Sequence, residues 1–481
     1  MKTSQPYYRT LLPEHVKQID RTGHQILERI GIRILDSTFL DTFKKAGAQV
    51  DHDAQIVRFE GDWLEEILSR APSRFTLYSR DNRNNLPLGK GKVYFANGGR
   101  VFRILDMSTG GYRLTLLRDV ANTATLVNQL DYINFYIIAC QAHDLEPAHY
   151  HLNDFYQAFN HTTKHVMGGC DDLEGVKQVW ELASLIGGGE DKLRDKPFVS
   201  VITNPISPLT IEANTLNILN FCATHGIPVT CAPAPIAGAT SPATLAGTLC
   251  QMHAEALAGV AITQIFSPGA KVLYGTVPTN MDLRTMELTT GSVEMGMMNA
   301  AAVQLAKLYN LPIYASGGLT EAKRPDIQAG FEKNFSNLMV AMSGADCIHL
   351  TAGMMDSGNS LSYEQFVIDN ENIGMIQRIL AGVRVNEDTM GFNAIQQAGP
   401  GGTYVMAEHT VEHMMDEFFY PNLSVRCNFD IWEERGRPNM LSRAHELVQH
   451  TLSKCEECRE GLLDLDLIFK IKEAFPGIRN I

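Results

Sequence analysis

Eight short apolar runs, each followed by small or polar residues, are the feature that most restricts the fold of this chain. Stretches with helical periodicity separate the runs, and alternating strands and helices pair in parallel through right-handed crossovers. Eight such units predict an α/β fold, a closed (β/α)8 or TIM barrel, with functional residues at the C-terminal ends of the strands. The runs occupy residues 93–99, 133–140, 164–170, 198–208, 228–238, 271–280, 312–318 and 347–353.

The chain is longer than a bare barrel requires. Such a barrel takes about 250 residues, and this chain has 481. We expect residues 1–90 to form an N-terminal cap that begins with an amphipathic helix over 12–34. Residues 91–384 are expected to form the barrel, and residues 385–481 a helical extension packed on it.

Charge and composition narrow the range of partners. A net charge of -13 argues against sequence-independent binding to nucleic acid and against an anionic membrane surface. We find no uninterrupted apolar stretch of about 20 residues and no apolar core of a signal peptide. Nine scattered cysteines are typical of reduced thiols in the cytoplasm. The one close pair, Cys455 and Cys458, is expected to lie on a surface helix without a special role.

Motifs for nucleotides and metals are weak. Neither a dinucleotide fingerprint nor a Walker sequence occurs. His409 and His413 are four residues apart, a spacing that can bind a metal on a helix, but the sequence offers no third ligand. We therefore predict no metal site and favour a packing or contact role for this pair.

Polar and aromatic side chains at the predicted strand ends are more informative. Asn97 ends the first run, Tyr274 and Tyr314 lie in the sixth and seventh, and His349 lies in the eighth. Such residues can fill the layers of a barrel, yet an imidazole is unusual in an apolar strand, which favours a functional His349. Aromatic faces at the same end can hold a permanently cationic ligand.

Four long stretches carry a resemblance to a known family. Residues 233–259, 290–333, 351–380 and 399–421 resemble the trimethylamine methyltransferase family, and the likeness runs over nearly the whole chain. The resemblance implies a (β/α)8 protein that moves a methyl group from an amine to the Co(I) corrinoid of a small partner protein. It implies no tightly bound cofactor in this chain, since the corrinoid (cobalamin) belongs to the partner.

The predicted substrate class follows from a difference between this chain and the archaeal members of the family. Its archaeal trimethylamine enzymes carry pyrrolysine in the barrel, whereas this chain has only standard residues. The chain therefore resembles the non-pyrrolysine branch, which demethylates quaternary amines such as glycine betaine, proline betaine, carnitine and γ-butyrobetaine. A quaternary nitrogen leaves as a neutral tertiary amine and needs no proton donor, so positioning and electrostatics are the tasks of the protein.

The resemblance suggests roles for the strand-end residues. Phe95, Tyr274 and Tyr314 are predicted to line a cage around the trimethylammonium group. His349 and Asn97 are predicted to hydrogen-bond the carboxylate of a betaine.

Three further residues are candidates for the wall of this site. Leu209 and Met355 are expected to shape it and to select substrate size. Glu364 places a negative charge near the cation in one interpretation, and in the other it caps the helix that starts near Ser362.

Alternatives from other classes remain open. A (β/α)8 lyase would need a Schiff-base lysine or a carboxylate cluster at the strand ends, and Lys323 near the seventh strand lies in a polar loop. A non-catalytic betaine-binding homologue is the other alternative, because the nucleophile belongs to the partner. The family likeness also leads us to expect a homo-oligomer.

Overall fold

A barrel of eight parallel strands forms the centre of the protein. The computed structural model describes residues 8–106, 108–458 and 461–479. The barrel strands are β1 (Tyr94–Asn97), β2 (Tyr136–Ile137), β3 (Val166–Gly169), β4 (Val199–Thr203), β5 (Val229–Cys231), β6 (Val272–Gly275), β7 (Ile313–Ser316) and β8 (Cys347–Ala352).

The strands pair in sequence order and close on themselves. The ladder runs from β2 through β3, β4, β5, β6 and β7 to β8, which pairs with β1. A parallel bridge between Ala96 and Phe135 then joins β1 to β2. Each of the eight apolar runs contains one of these strands, so the prediction of a (β/α)8 barrel is confirmed.

One helix follows each strand and covers the outside of the barrel. Side chains of Asp172, Ser292, Asp326 and Ser362 accept N-terminal backbone N–H groups of four of these helices, as expected for capping residues. The crossover helices are α1 (Leu117–Gln129), α2 (Tyr150–His161), α3 (Leu173–Gly187), α4 (Ala213–His225), α5 (Leu245–Phe266), α6 (Val293–Leu308), α7 (Ile327–Ser343) and α8 (Tyr363–Ala381).

Helix α5 has no polar face, although it carries buried polar residues such as His253 and Glu255. Among the described residues it is the one helix long and apolar enough to cross a membrane, by length and composition. In the folded chain 78% of its apolar window is buried, as in the core helix of a globular protein. Its uniform hydrophobicity therefore reflects a position between the barrel and the N-terminal segment.

The N-terminal segment packs against α5. Its first helix, Pro13–Gln25, ends in a π-helical turn over Ile26–Ile30. The prediction of one helix over 12–34 is wrong at its end, because Gly31 adopts φ +83° and the chain continues as strand Ile32–Ile34. This strand joins a small sheet with Gln49–Asp51, Ile56–Arg58 and Thr210–Ile211, and the helices Ser37–Ala46 and Gly61–Leu68 complete the segment.

A hairpin closes the N-terminal mouth of the barrel. Its strands are Thr76–Leu77 and Leu86–Pro87. Their leucines are buried with interior side chains of the barrel, among them Tyr94 and Phe135. The interior is therefore filled at this end, which leaves the C-terminal mouth for a ligand.

The remaining elements lie on the C-terminal rim and on the outside. Helix Met440–Cys458 contacts α8 and α1. The division of the chain at residues 90 and 384 stays a prediction. The other strands are Arg103–Leu105, Tyr112–Leu114, Ile236–Ala237, Thr279–Asp282, Glu287–Thr289, Met354–Met355 and Ser360–Leu361, and the other helices are Pro147–His149, Glu190–Asp195, Asp356–Gly358, Phe392–Ala398, Glu408–Glu417, Phe429–Glu434 and Leu465–Ala474.

Candidate functional site

A cavity of about 540 Å³ opens at the C-terminal mouth of the barrel. The ends of β2, β3, β4, β7 and β8 line it, together with the first turns of α2 and α4. A volume of this size suits a small molecule. The side chains that carry its chemistry are Arg100, His151, Asp154, Asp171, Glu212, Tyr314 and His349.

Two aromatic rings from adjacent strands form one wall. Tyr314 of β7 and His349 of β8 are stacked, with ring centroids 3.9 Å apart and planes at 19°. Both face the barrel interior, because Tyr314 is opposite Cys347 in the ladder and His349 is two residues further along the same face. Both rings line the cavity, although Tyr314 is only 1% and His349 only 4% exposed, so a small part of each ring reaches its space.

The hydrogen bonds of Ser316 fix the state of His349. The Ser316 hydroxyl donates to the carbonyl of Thr276 at 2.9 Å and lies 2.7 Å from Nε2 of His349. We therefore assign the imidazole proton to Nε2, which donates to Ser316 and leaves a lone pair on Nδ1. Burial lowers the pKa of His349 to about 3, so the ring is neutral near pH 7.

An irregularity in β8 brings the residue after this histidine, Leu350, to the cavity as well. The pairing register of β8 with β1 shifts between Ile348 and Ala352. Leu350, inside this bulge, has φ +65°, a left-handed conformation that costs a residue with a side chain about 1–3 kcal/mol. Bulges of this kind redirect side chains beside functional sites.

A buried carboxylate faces the same cavity from α2. Asp154 is 1% exposed, and its Oδ1 is buried without a hydrogen-bond partner among the described residues. Burial raises the pKa of this carboxyl well above its usual range, despite the opposing field of Arg100. Most buried polar atoms in proteins are paired, so an orphaned carboxylate beside a cavity indicates a missing partner.

Close packing of α2 on the barrel brings Asp154 to this position. A Cβ on Gly168 of β3 would lie 2.6 Å from Cζ of Phe155, so only glycine allows the approach. Sequence reasoning missed Asp154 because it lies on a helix and not at a strand end. A carboxylate among the apolar residues of HLNDFYQAF was the available signal.

An ion pair stands at the rim of the cavity. Nη1 and Nη2 of Arg100 lie 2.5 and 3.2 Å from the two carboxylate oxygens of Asp171. The guanidinium also lies over the Tyr150 ring, 4.9 Å from its centroid, and the Tyr150 hydroxyl donates to Asp171. His151 accepts the backbone N–H of Asp171, and burial together with Arg100 lowers the pKa of this histidine to about 4.

Of the eight predicted site residues, Tyr314 and His349 line the cavity, and the other six lie outside it. Phe95 and Tyr274 face the helices, because each is one residue out of step with the interior positions Tyr94 and Leu273. The Tyr274 hydroxyl is bound to Nδ1 of His253, 2.7 Å away on α5.

Asn97 and Leu209 hold the backbone together. The Asn97 side chain donates to the carbonyls of Gly98 and Ile137 and accepts the Ile137 N–H, which ties β1 to β2. The Leu209 N–H donates to the buried Glu255, and its carbonyl accepts the N–H of Arg33. Neither side chain reaches the cavity.

Met355 and Glu364 likewise belong to the supporting structure. Met355 is buried in a small cluster with Ala322 and Ala329. Glu364 accepts the Ser362 hydroxyl at 2.7 Å, and its other oxygen lies 3.0 Å from Nδ1 of His445 on helix Met440–Cys458. The cap of α8 is Ser362, which accepts the Gln365 N–H, and Glu364 supports that cap through the Ser362 hydroxyl and links it to the C-terminal helix.

The motifs considered for metals stay outside the site. In the described part of the chain no group of three or more His, Cys, Asp or Glu side chains could hold a metal ion. Nε2 of His413 lies 3.4 Å from the Asp388 carboxylate, and Nε2 of His409 lies 3.1 Å from the Asp388 carbonyl. The side chains of Cys455 and Cys458 are outside the described part of the structure.

Comparison with known proteins places the chain in a family. The family described as trimethylamine methyltransferase (MTTB) matches residues 1–466. Trimethylamine methyltransferase MttB of Desulfitobacterium hafniense strain DCB-2 is 34% identical over 90% of this chain and 87% of its own length. Glycine betaine methyltransferase of D. hafniense strain Y51 is 32% identical over 93% of both chains.

One solved structure shows a distant likeness to this chain. The Methanosarcina barkeri monomethylamine methyltransferase (MtmB) covers 92% of both chains at 11% identity, with a TM-score of 0.48. At this TM-score the likeness carries no inference, and the barrel is established by the strand pairing of the chain itself. Because the family match covers almost the whole chain, this protein belongs to the trimethylamine methyltransferase family and is a methyltransferase.

Proposed function

We propose that this methyltransferase takes a methyl group from a quaternary amine, passes it to the Co(I) corrinoid of a partner protein and releases a tertiary amine. The observation that carries the proposal is the cavity with stacked aromatic rings on one wall and an unpartnered carboxylate on another. A permanently charged ammonium group is attracted by both features. Relatives named for trimethylamine and for glycine betaine act on methylated nitrogen, which supports the same substrate group.

The ring side chains at the site suit a reaction without a proton donor. His349 and His151 are neutral at pH 7, since burial lowers the pKa of each to about 3 and about 4. Tyr314 holds its proton, because burial raises its pKa well above the ordinary value. A quaternary nitrogen needs no acid to leave as a neutral amine, whereas an unprotonated tertiary amine would.

The work of this chain is then to bind and orient. The stacked rings and Asp154 hold the charged nitrogen inside the barrel, and apolar walls from Ile137, Ile202 and Val277 exclude water around it. The Co(I) of the partner would supply the electron pair for the new bond to the methyl carbon, and the C–N electron pair would leave with nitrogen as the neutral tertiary amine. The rim residues Arg100 and Asp171 are partly exposed, so the cavity is open towards a partner at this mouth.

The lyase alternative has less support. No lysine lines the cavity in the described part of the chain. Lys323 is largely exposed and pairs with Asp356. Lys333 is fully buried, with Nζ 3.2 Å from the Asp369 carboxylate and donating to two backbone carbonyls. Neither amine is placed to form a Schiff base with a ligand in the cavity.

A cytoplasmic location is part of the proposal. Co(I) chemistry requires strongly reducing conditions, and such conditions also keep thiols reduced. The cysteines whose side chains are described are free, and five of the seven are buried. A homo-oligomer stays a prediction from the family likeness.

The test is methyl transfer to a reduced corrinoid protein, followed by its visible absorbance and by detection of the amine product. Trimethylamine and several quaternary amines are offered in parallel. We expect turnover with at least one quaternary amine and none with trimethylamine. Tyr314→Leu should slow the reaction, and Tyr274→Phe, which alters an aromatic residue outside the cavity, serves as the matched control. Binding without turnover, given a competent corrinoid protein, would favour the non-catalytic homologue.

A further inference from the structure

We infer that the cavity takes a quaternary ammonium compound without a carboxylate, and that Asp154 pairs with its charge. The inference rests on the proposed function and narrows its substrate to net cations, such as choline or a tetraalkylammonium ion. A betaine carries the same ammonium group together with a carboxylate. A betaine therefore differs from a simple quaternary ammonium cation by one negative charge. The charges around the cavity determine which of the two binds more tightly.

The cavity has an excess of negative charge. Among the described side chains that line it, Arg100 is the one permanent cation, against the carboxylates of Asp154, Asp171 and Glu212. The two histidines add no positive charge at neutral pH, because burial keeps both in the neutral form. The sum stays negative even when Asp154 holds a proton, so a zwitterion gains less here than a cation does.

Arg100, the single cation at the cavity, is already paired with Asp171. Arg100 binds both oxygens of Asp171 through its two terminal nitrogens, a bidentate pair, and its planar face covers Tyr150. A betaine carboxylate would have to displace Asp171 and leave that carboxylate unpaired beside it. Displacing one carboxylate by another gains little, since the number of charged hydrogen bonds is unchanged.

The two residues predicted to bind a carboxylate have no proton to offer it. Both amide hydrogens of Asn97 are engaged by backbone carbonyls. The Nε2 proton of His349 goes to Ser316, and Nδ1 is an acceptor. A lone pair repels a carboxylate and tolerates a cation or a hydroxyl donor, such as that of choline.

Asp154 directly favours a bound cation. Its Oδ1 is fully buried beside the cavity and has no protein partner among the described residues. A cation that enters the cavity would offset the cost of burying this charge, which the field of Arg100 opposes only in part. Asp154 is therefore the residue that we expect to stabilise a bound cation.

The test measures binding by calorimetry, with tetramethylammonium, choline, glycine betaine and glycine betaine methyl ester as ligands. The ester has the size of the betaine but lacks its negative charge. We expect the wild-type protein to bind the ester and the two simple cations about tenfold or more tightly than glycine betaine. Tighter binding of glycine betaine, or no binding of any cation, would overturn the inference.

A pair of variants tests the role of Asp154. Asp154→Asn should weaken the binding of tetramethylammonium about tenfold or more. Asp172→Asn removes a nearby charge that does not line the cavity, and Asn can still cap α3, so this control should bind as the wild type does. Equal binding by wild type and Asp154→Asn would remove Asp154 from the site, and the wild-type ligand comparison stands without either variant.

Methyl transfer separates this inference from the proposed function. Cation binding followed by methyl transfer supports both the proposed reaction and the inference about charge. Cation binding without transfer to a competent corrinoid protein contradicts the proposed reaction and leaves the cation site in place. Transfer from glycine betaine in preference to its ester supports the reaction and overturns the inference about charge.

Discussion

Replacing Asp154 with asparagine should stabilise the unliganded protein at alkaline pH. Burial raises the pKa of this carboxyl above its value in the unfolded chain, about 3.9 for an ordinary aspartate. The folded state therefore holds the proton more tightly than the unfolded state does. That contribution to stability is complete below the unfolded pKa and is lost as the pH rises through the folded pKa. Asparagine does not titrate and avoids the loss.

The expected gain in stability arises because Asp154 is buried without a hydrogen-bond partner for its Oδ1. A buried polar group without a partner costs about 1–3 kcal/mol, and a charged one more. Asparagine keeps the cost of a neutral polar group, so the gain is the excess due to the charge, taken as about the same size. Unfolding entropy of about 2.1 cal/mol/K per residue gives about 1 kcal/mol/K for a chain of this length. Asp154→Asn should then raise the melting temperature by about 1–3 °C at pH 8. The difference should shrink as the pH falls and the wild-type carboxyl becomes protonated.

Scanning calorimetry at pH 8 and at pH 5.5 measures this effect, with Asp172→Asn as the control for loss of a nearby charge. Tetramethylammonium should raise the melting temperature of the wild type more than that of Asp154→Asn. If Asp154→Asn melts below the wild type at pH 8 without ligand, the protein itself stabilises the Asp154 charge. The argument for a missing cation would then fail.

Other predictions concern the two tyrosines and the pH profile. Tyr314→Leu should raise the KM for a quaternary amine about tenfold, because the cation loses an aromatic face, as methyl-transfer kinetics would show. Tyr274→Phe should leave kcat/KM unchanged and lower the free energy of unfolding by about 1–2 kcal/mol, since buried His253 loses a hydrogen-bond partner; chemical denaturation measures the loss. The kcat/KM for a quaternary amine should rise as the pH passes through the raised pKa of Asp154, because only the ionised carboxylate attracts the cation. A fall in kcat/KM over the same pH range would indicate that Asp154 acts as an acid.

The architecture of the barrel was predictable because its signals are local. Each strand is a short apolar run that ends in small or polar residues, and several crossover helices begin at a capping side chain. The N-terminal helix was overextended because its apolar pattern continues through Gly31 into strand Ile32–Ile34. A single glycine with positive φ ended the helix there, and glycine inside an amphipathic pattern is a weak signal.

The side-chain directions were harder to predict. Both faces of a parallel barrel strand are buried, so the sequence does not alternate between apolar and polar residues and leaves the inward position open. Tyr314 and Tyr274 occupy similar strand contexts, yet Tyr314 faces the cavity and Tyr274 faces α5. Asp154 and the ion pair of Arg100 with Asp171 depend on contacts between distant elements, which no local pattern encodes.

Asp154 should affect KM and not kcat. The substrate nitrogen carries a full positive charge, and this charge falls as the methyl group departs, so the attraction to Asp154 is strongest before the reaction. Only interactions that strengthen in the transition state raise kcat. Asp154→Asn should therefore raise KM about tenfold or more and leave kcat unchanged or higher. The same reasoning makes Asp154 useful at the end of the cycle, because a neutral tertiary amine leaves a carboxylate more readily than a cation does. Steady-state kinetics with saturating corrinoid protein test this, and a fall in kcat at unchanged KM would mean that Asp154 acts on the transition state.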